Sequence, residues 1–319
     1  MGQQNILVIG AGGQIGTVLV EKLIQVFGIT TVFATDLKEN AEKGISALDV
    51  MDKSSLESFI EKNKIQEIYH LAAILSARGE QNPQWAWDIN MGGLFNVLET
   101  AVKYKVEKVF YPSTIAVFGK HIPLENTPNH VPLVPATVYG ISKVAGELWA
   151  EYYFNKYGLD VRSVRYPGVI GYQSLAGGGT TDYAVDIFHA EAKNEVFQCF
   201  LSEHTKLPMI YMEDCINATI DIMRAPIENI KIRTSYNLAG MSFSPLEIAT
   251  EIQKRNPNFR IEYNPDFRQA IAATWPQSID DSNARKDWGW KPKYDLSSMV
   301  DIMMTEVRKL YPSLSRDSS

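Results

Sequence analysis

The chain has 319 residues, 45% hydrophobic and 21% charged, with a formal net charge of −6. Its 31 Lys and Arg are scattered among 37 Asp and Glu, which leaves no basic stripe for nucleic acid or an anionic membrane. Cys199 and Cys215 are too few for a disulfide framework and point to reduced thiols in a cytoplasmic setting; no apolar run approaches the roughly 20 residues of a membrane span.

Met1 to Asn5 lacks the basic and apolar regions of a signal peptide, so export is not expected. Ile6-Leu7-Val8-Ile9 reads as a strand buried on both faces. It feeds Gly10-Ala11-Gly12-Gly13-Gln14-Ile15-Gly16, after which Val18, Leu19, Leu23 and Ile24 recur with helical period. A strand, glycine turn and helix present backbone N–H groups and a helix N-terminus to a pyrophosphate. The next strand, 31 to 36, ends in Asp36, 20 residues after Gly16. An acid there accepts both ribose hydroxyls of adenosine and repels a 2′-phosphate, which favours NAD over NADP.

Ala47-Leu48-Asp49-Val50 is a third short strand, and Ser54 to Asn63 a helix. Ile65 to Ala73 makes the fourth strand and its turn; the small residues of Leu71-Ala72-Ala73 let the backbone approach a cofactor. Ser76 follows in a loop at the strand's carboxyl end, where such loops line the crevice of an open α/β sheet. A long amphipathic helix, 85 to 104, carries Asn90. The fifth strand, 108 to 114, ends in Ser113-Thr114, and a proline-containing loop of about 20 residues leads to a helix over 139 to 157. The sixth strand, 161 to 166, ends in Tyr166, followed by Pro167-Gly168.

The alternation over the first 170 residues predicts an α/β fold with a doubly wound parallel Rossmann sheet. Residues 1–170 are read as the dinucleotide-binding domain, with a segment near 210–240 returning to it. Residues 171–319 are read mainly as a smaller α/β substrate lobe: helices 183 to 193, 245 to 255 and 296 to 310, a strand near 235 to 238, and a frayed tail from Ser313.

Tyr139 and Lys143 are four apart, hence on one face of their helix. A free tyrosine has a pKa of about 10, and a nearby cation favours the phenolate, so the pair is expected to accept a proton from an alcohol. The expected cofactor contacts are Gly10, Gly13, Gln14, Ile15, Gly16, Asp36, Asp49, Val50, Leu71, Ala72, Ala73, Asn90, Tyr139, Lys143 and Tyr166. The five histidines and two cysteines have no zinc spacing, so no metal is expected.

Taken in order, Gly10/Gly13/Gly16, Asp36, His70-Leu71-Ala72-Ala73, Ser113-Thr114, Tyr139-x-x-x-Lys143 and Tyr166-Pro167-Gly168 resemble the extended short-chain dehydrogenase/reductase family. Three stretches, 113 to 119, 179 to 184 and 274 to 281, resemble its L-threonine 3-dehydrogenase branch. That resemblance implies hydride transfer from Cβ of L-threonine to NAD⁺, giving L-2-amino-3-oxobutyrate. Tyr139 is then the general base, Lys143 holds the nicotinamide ribose, and Thr114, with Ser113, hydrogen-bonds the substrate oxygen. Ser76 is expected to reach the carboxylate, Thr180, Thr181 and Asp182 the ammonium, and Trp275 to shape the pocket. Gly177 to Gly179 suit a lid. The resemblance also implies a homodimer through helices 85 to 104 and 139 to 157, for which aromatic Trp149, Tyr152, Tyr153 and Phe154 are the local sign. The alternative is a nucleotide-sugar 4-epimerase or dehydratase with tightly bound NAD, with Arg233 and Arg260 as diphosphate contacts; a non-enzymatic NAD-binding regulator is a third reading.

Overall fold

Strand β1 (Ile6–Ile9) is fully buried, as an all-apolar central parallel strand should be. A computed structural model places it between β2 (Val32–Asp36) on one side and β4 (Glu67–His70) on the other. The structure describes residues 4–175, 177 and 179–312. Gly178 of the expected lid, Met1 to Gln3 and the tail from Ser313 lie outside the described residues.

In chain order, β1 leads to α1 (Gln14–Phe27), β2, β3 (Ile45–Ala47), α2 (Lys53–Asn63) and β4. Then follow α3 (Ser76–Gln81), α4 (Pro83–Lys103), β5 (Lys108–Phe110), β6 (Ser113–Thr114), α5 (Val138–Tyr157) and β7 (Asp160–Arg162). The main sheet has the order β3-β2-β1-β4-β5-β7, with every pairing parallel, which is the doubly wound Rossmann arrangement. Its switch point, between β1 and β4, is where a ligand crevice forms.

Beyond β7 come β8 (Val164–Tyr166), β9 (Gly168–Ile170), α6 (Tyr183–Ala192), β10 (Phe197–Cys199), β11 (Leu207–Tyr211) and α7 (Met212–Arg224). The chain ends with β12 (Tyr236–Asn237), β13 (Met241–Phe243), α8 (Pro245–Gln253), β14 (Ile261–Tyr263), α9 (Phe267–Ala272), α10 (Ser282–Trp288) and α11 (Leu296–Arg308). Three small sheets, β12-β8-β6, β13-β11-β9 and β10-β14, complete the strand topology. Helix α7 packs on α1 and β5, and its buried face joins the core under β1.

Four local expectations shift. The third strand lies two residues earlier than read, because Asp49 accepts from the Met51 amide and turns the chain. The fifth strand breaks at Tyr111-Pro112, where proline has no N–H for the ladder, and the sixth breaks at Ser163. Ser76 opens helix α3 instead of sitting in a loop. The long connection before α5 is mostly a strap. Its start, 115 to 118, is buried, and Thr127 pairs with the 278 to 280 segment through backbone hydrogen bonds. Helix α5 begins where Thr137 caps the Gly140 amide at 3.0 Å and stops at Gly158, whose φ of 70° is left-handed.

Candidate active site

A cavity of about 290 Å³ opens beyond the carboxyl ends of β1, β4, β6 and β8. That is close to the lower end of the roughly 300–1,000 Å³ typical of ligand sites. Gly10, Gly13, Gln14, Ile15 and Gly16 form one wall, and Leu71, Ala73 and Ser76 a second. Thr114, Tyr139, Lys143 and Tyr166 also line it, as do Thr180, Thr181, Asp182 and Trp275. Sequence reasoning left out Leu75, Pro112, Ile115, Ala116 and Val169, which also line the cavity. These are apolar wall residues that carry no chemistry to mark them.

The glycine turn packs backbone against backbone. A Cβ on Gly16 would sit 2.2 Å from the Gly10 carbonyl oxygen, and one on Gly10 would sit 2.7 Å from the Ala72 nitrogen. Gly10 also has a φ of 88°, which only glycine adopts readily. Helix α1 has no side-chain cap and no acid in its first turn, so its N-terminal amides face the cleft. This donor set fits a dinucleotide pyrophosphate. Asp36 closes β2 beside the turn, its Oδ2 accepting from the Gly12 amide at 2.9 Å and its Oδ1 from Leu37 at 2.7 Å.

Helix α5 brings Tyr139 and Lys143 to the cleft one turn apart. Burial pushes the Tyr139 phenol up to about 12, and a hydrogen bond with Thr114 works against that rise. Burial pushes Lys143 down to about 7, opposed by the Glu147 carboxylate. Lys143 Nζ donates to the Pro112 carbonyl at 2.7 Å and stands over the Tyr111 ring, 4.3 Å from its centroid and 5.6 Å from that of Tyr139. In the cofactor-free cleft the dominant influence on Tyr139 is desolvation, which favours the protonated phenol.

Besides Asp36, four expected site residues do not line the cavity, Asp49, Val50, Ala72 and Asn90; Ser113 lines it, but its hydroxyl is taken by another partner. Asp49 is exposed and Val50 packs against Gly93 in the core. Ala72 donates its amide to Ile9 behind the turn. Asn90 is buried, its amide group holding the Ile74 backbone at 2.7 and 3.1 Å and reaching Ser142. Ser113 donates to Glu147, a residue that sequence reasoning missed. Glu147 continues the Tyr139, Lys143 face at the same four-residue spacing, which is the signal that could have found it.

On the substrate side, Asp182 accepts from the Gly179 amide at 2.5 Å, so its carboxylate orders the 177 to 182 segment. A Cβ on Gly168 would meet Thr181 at 2.7 Å and the Met209 sulfur at 2.4 Å; only glycine lets this segment settle over the strand. The remaining aromatic excess of α5 is largely internal. Trp149 and Tyr153 pack with Phe95 and the core beneath α4, and Phe154 carries the Arg233 guanidinium on its face.

The buried lysine has a thermodynamic signature. Its folded value near 7 lies below its ordinary value of 10.5, so between those pH values the unfolded chain binds a proton that the folded chain does not. Its contribution to the stability of the cofactor-free protein therefore rises with pH across that window. Above about 8.5 the rise is lost and then reverses, because burial holds the Cys199 and Cys215 thiols above their ordinary value, and at higher pH the phenols of Tyr69, Tyr111, Tyr166 and Tyr183 above theirs. We expect the urea midpoint to climb from pH 7 to about 8.5 and the climb to flatten in Lys143→Met. An undiminished slope in that variant would contradict the assignment.

Residues 6–239 match the NAD dependent epimerase/dehydratase family. A mitochondrial L-threonine 3-dehydrogenase of Bos taurus is 44% identical over 308 residues, spanning 95% of this chain and 82% of the relative. Among solved structures, the holo form of a GalE-like L-threonine dehydrogenase from Cupriavidus necator is 50% identical with a TM-score of 0.93, covering 95% of this chain and 99% of that one. A monomeric L-threonine 3-dehydrogenase from a metagenome is 48% identical with a TM-score of 0.92, covering 96% and 99%. With its glycine turn, parallel sheet and Tyr139/Lys143 helix in the places described, this chain belongs to the NAD-dependent epimerase/dehydratase family.

Proposed function

We propose that the protein is an NAD-dependent L-threonine 3-dehydrogenase, oxidising the β-hydroxyl of L-threonine to give L-2-amino-3-oxobutyrate. The observation that carries this reading is a small cleft in which Thr114 and Tyr139 hydrogen-bond to each other beside Lys143, directly beyond the glycine turn. Three relatives bearing the name of that activity support it.

The backbone of Gly10 to Gly16, Leu71, Ala73 and Tyr166 would hold the dinucleotide, with Asp36 on the adenosine ribose and Lys143 on the nicotinamide ribose. Bound NAD⁺ supplies the two-electron acceptor for the carbinol carbon and brings one positive charge into the cleft. Added positive charge lowers a buried phenol toward its working range. Tyr139 Oη then takes the β-hydroxyl proton as general base, and the Thr114 hydroxyl orients the same oxygen. Ser76, Thr180 and Thr181 supply hydroxyls for the amino-acid head, Asp182 holds their segment and faces the ammonium, and Trp275 closes the side. Residues 1–170, with 210–240, act as the dinucleotide-binding part, and 171–319 mainly as the substrate lobe.

A nucleotide-sugar epimerase needs cations around a diphosphate. Among the described lining residues Lys143 is the one cation, while Arg233 is engaged by Asp160 and the Ile227 carbonyl. Free NADH should accumulate with L-threonine and not with UDP-sugars. Epimerised UDP-sugar without NADH would favour the other reading. Asp36→Asn should weaken NAD binding about tenfold and narrow the preference over NADP; titration with both nucleotides checks this, and an unchanged ratio would count against the ribose contact.

We read the functional form as a homodimer. Ile141, Leu148 and Tyr152 form an apolar stripe along α5, 48%, 58% and 42% exposed. A sedimentation mass of one chain, 35.8 kDa, would overturn it in favour of the monomeric state of the metagenome relative. Two free, buried cysteines suit the cytoplasm; among the described residues no helix is long and apolar enough to cross a membrane.

A further inference from the structure

The reaction read above needs Lys143 on α5 and Thr114 on β6 held in one frame, and a single buried carboxylate joins their two elements. Glu147 lies one turn beyond Lys143 on α5, its side chain 1% exposed. Its Oε1 accepts from Arg165 Nε at 2.9 Å and from the hydroxyl of Ser113, the neighbour of Thr114; its Oε2 accepts from Arg165 Nη2 at 2.7 Å. Arg165, on β8, extends the frame through Nη1 to the Asn129 carbonyl at 2.8 Å and to Asn237 on β12 at 3.1 Å.

A buried ion pair is weak evidence of a stabilising role, since desolvation offsets much of its attraction. Placement says more. The groups facing Lys143 are His70 at the end of β4, Tyr111 between β5 and β6, and Tyr139 and Glu147 on α5, with Arg165 behind Glu147. His70 is buried and held neutral, down at about 3, and the two phenols are uncharged near neutral pH. Of these groups only Glu147 is an anion.

We propose that the Glu147–Arg165 pair is the positioning device of this active site, locking the strand of Thr114 against the helix of Lys143 while its carboxylate favours the charged form of that lysine against burial. Glu147 acts through Lys143 and Ser113; it does not touch the substrate. The inference rests on the roles given above to Tyr139, Lys143 and Thr114.

The test reads Lys143 directly, in the cofactor-free protein, by the pH dependence of its acetylation with acetic anhydride, followed by mass spectrometry of its peptide. Glu147→Gln keeps the size and removes the charge, and the midpoint of Lys143 should fall by about one pH unit. Glu147→Asp should return the midpoint toward the parent, yet leave kcat/KM for L-threonine lowered, because the shorter side chain loses Ser113. An unmoved midpoint in Glu147→Gln overturns the proposal. If that variant does not fold, Ser113→Ala decides: we expect kcat/KM for L-threonine to fall about fivefold with KM for NAD unchanged, and an unaltered kcat/KM overturns the proposal. A parent protein inert toward threonine would defeat the functional reading alone, since the acetylation midpoint does not depend on turnover.

Discussion

Tyr139→Phe should lower turnover on L-threonine by about 10²- to 10⁴-fold, the range that a positioned general base contributes, while NAD still binds. The ring stays, so its packing on the core and its proximity to Lys143, 5.6 Å from ring centroid to Nζ, are kept. What disappears is the oxygen that Thr114 hydrogen-bonds and that takes the substrate proton. In the cofactor-free cleft burial holds that phenol up near 12. The parent's kcat/KM should therefore rise with pH over the neutral to alkaline range, as the fraction of phenolate grows. Tyr139→Phe should lose that rise together with its rate. Near-parent turnover at saturating threonine, or a variant profile with the same rise, would remove Tyr139 from its assigned role.

Gly16→Ala is the second large effect, and it falls on cofactor binding and stability together. The added carbon would sit 2.2 Å from the Gly10 carbonyl oxygen and 2.9 Å from Ala11 Cα, both backbone, so helix α1 must move away from the turn. Overpacking of this kind costs about 1–3 kcal/mol, and the displaced helix N-terminus no longer presents its amides. We expect a lower denaturation midpoint and NAD affinity weakened at least about tenfold. Gly13→Ala is the control. Its carbon approaches the Gly10 oxygen no closer than 3.4 Å, so stability should hold even if the nucleotide binds less well. Equal stability of both variants would mean that the turn is looser than described.

Much of the cofactor half was legible in the sequence because its chemistry is local. A buried apolar strand, glycines at 10, 13 and 16, and an acid at 36 are contiguous patterns that meet through one strand–turn–helix unit and its neighbour. Tyr139 and Lys143 were legible for the same reason, since four-residue spacing on a capped helix settles their shared face. The strand ends were less so. Pro112 breaks β5 from β6, and the Ser113 hydroxyl beyond it goes to Glu147, a fact that only the packing of α5 and β8 reveals. Asn90 was expected as a cofactor contact, and its amide is occupied by the Ile74 backbone 16 residues earlier, a partner that spacing along the helix does not show. The desolvation of Tyr139 and Lys143 was not legible, because spacing shows that a cation is near but the burial of both groups comes from the fold around them.

The most direct test is a crystal structure of the protein with NAD⁺ and L-threonine, using Tyr139→Phe if turnover consumes the substrate. The account predicts the threonine β-oxygen within about 3 Å of Thr114 Oγ1 and of the position of Tyr139 Oη, with the amino-acid head toward Ser76, Thr180 and Thr181. A threonine bound elsewhere, or one whose β-carbon faces away from Tyr139 and Thr114, would contradict it.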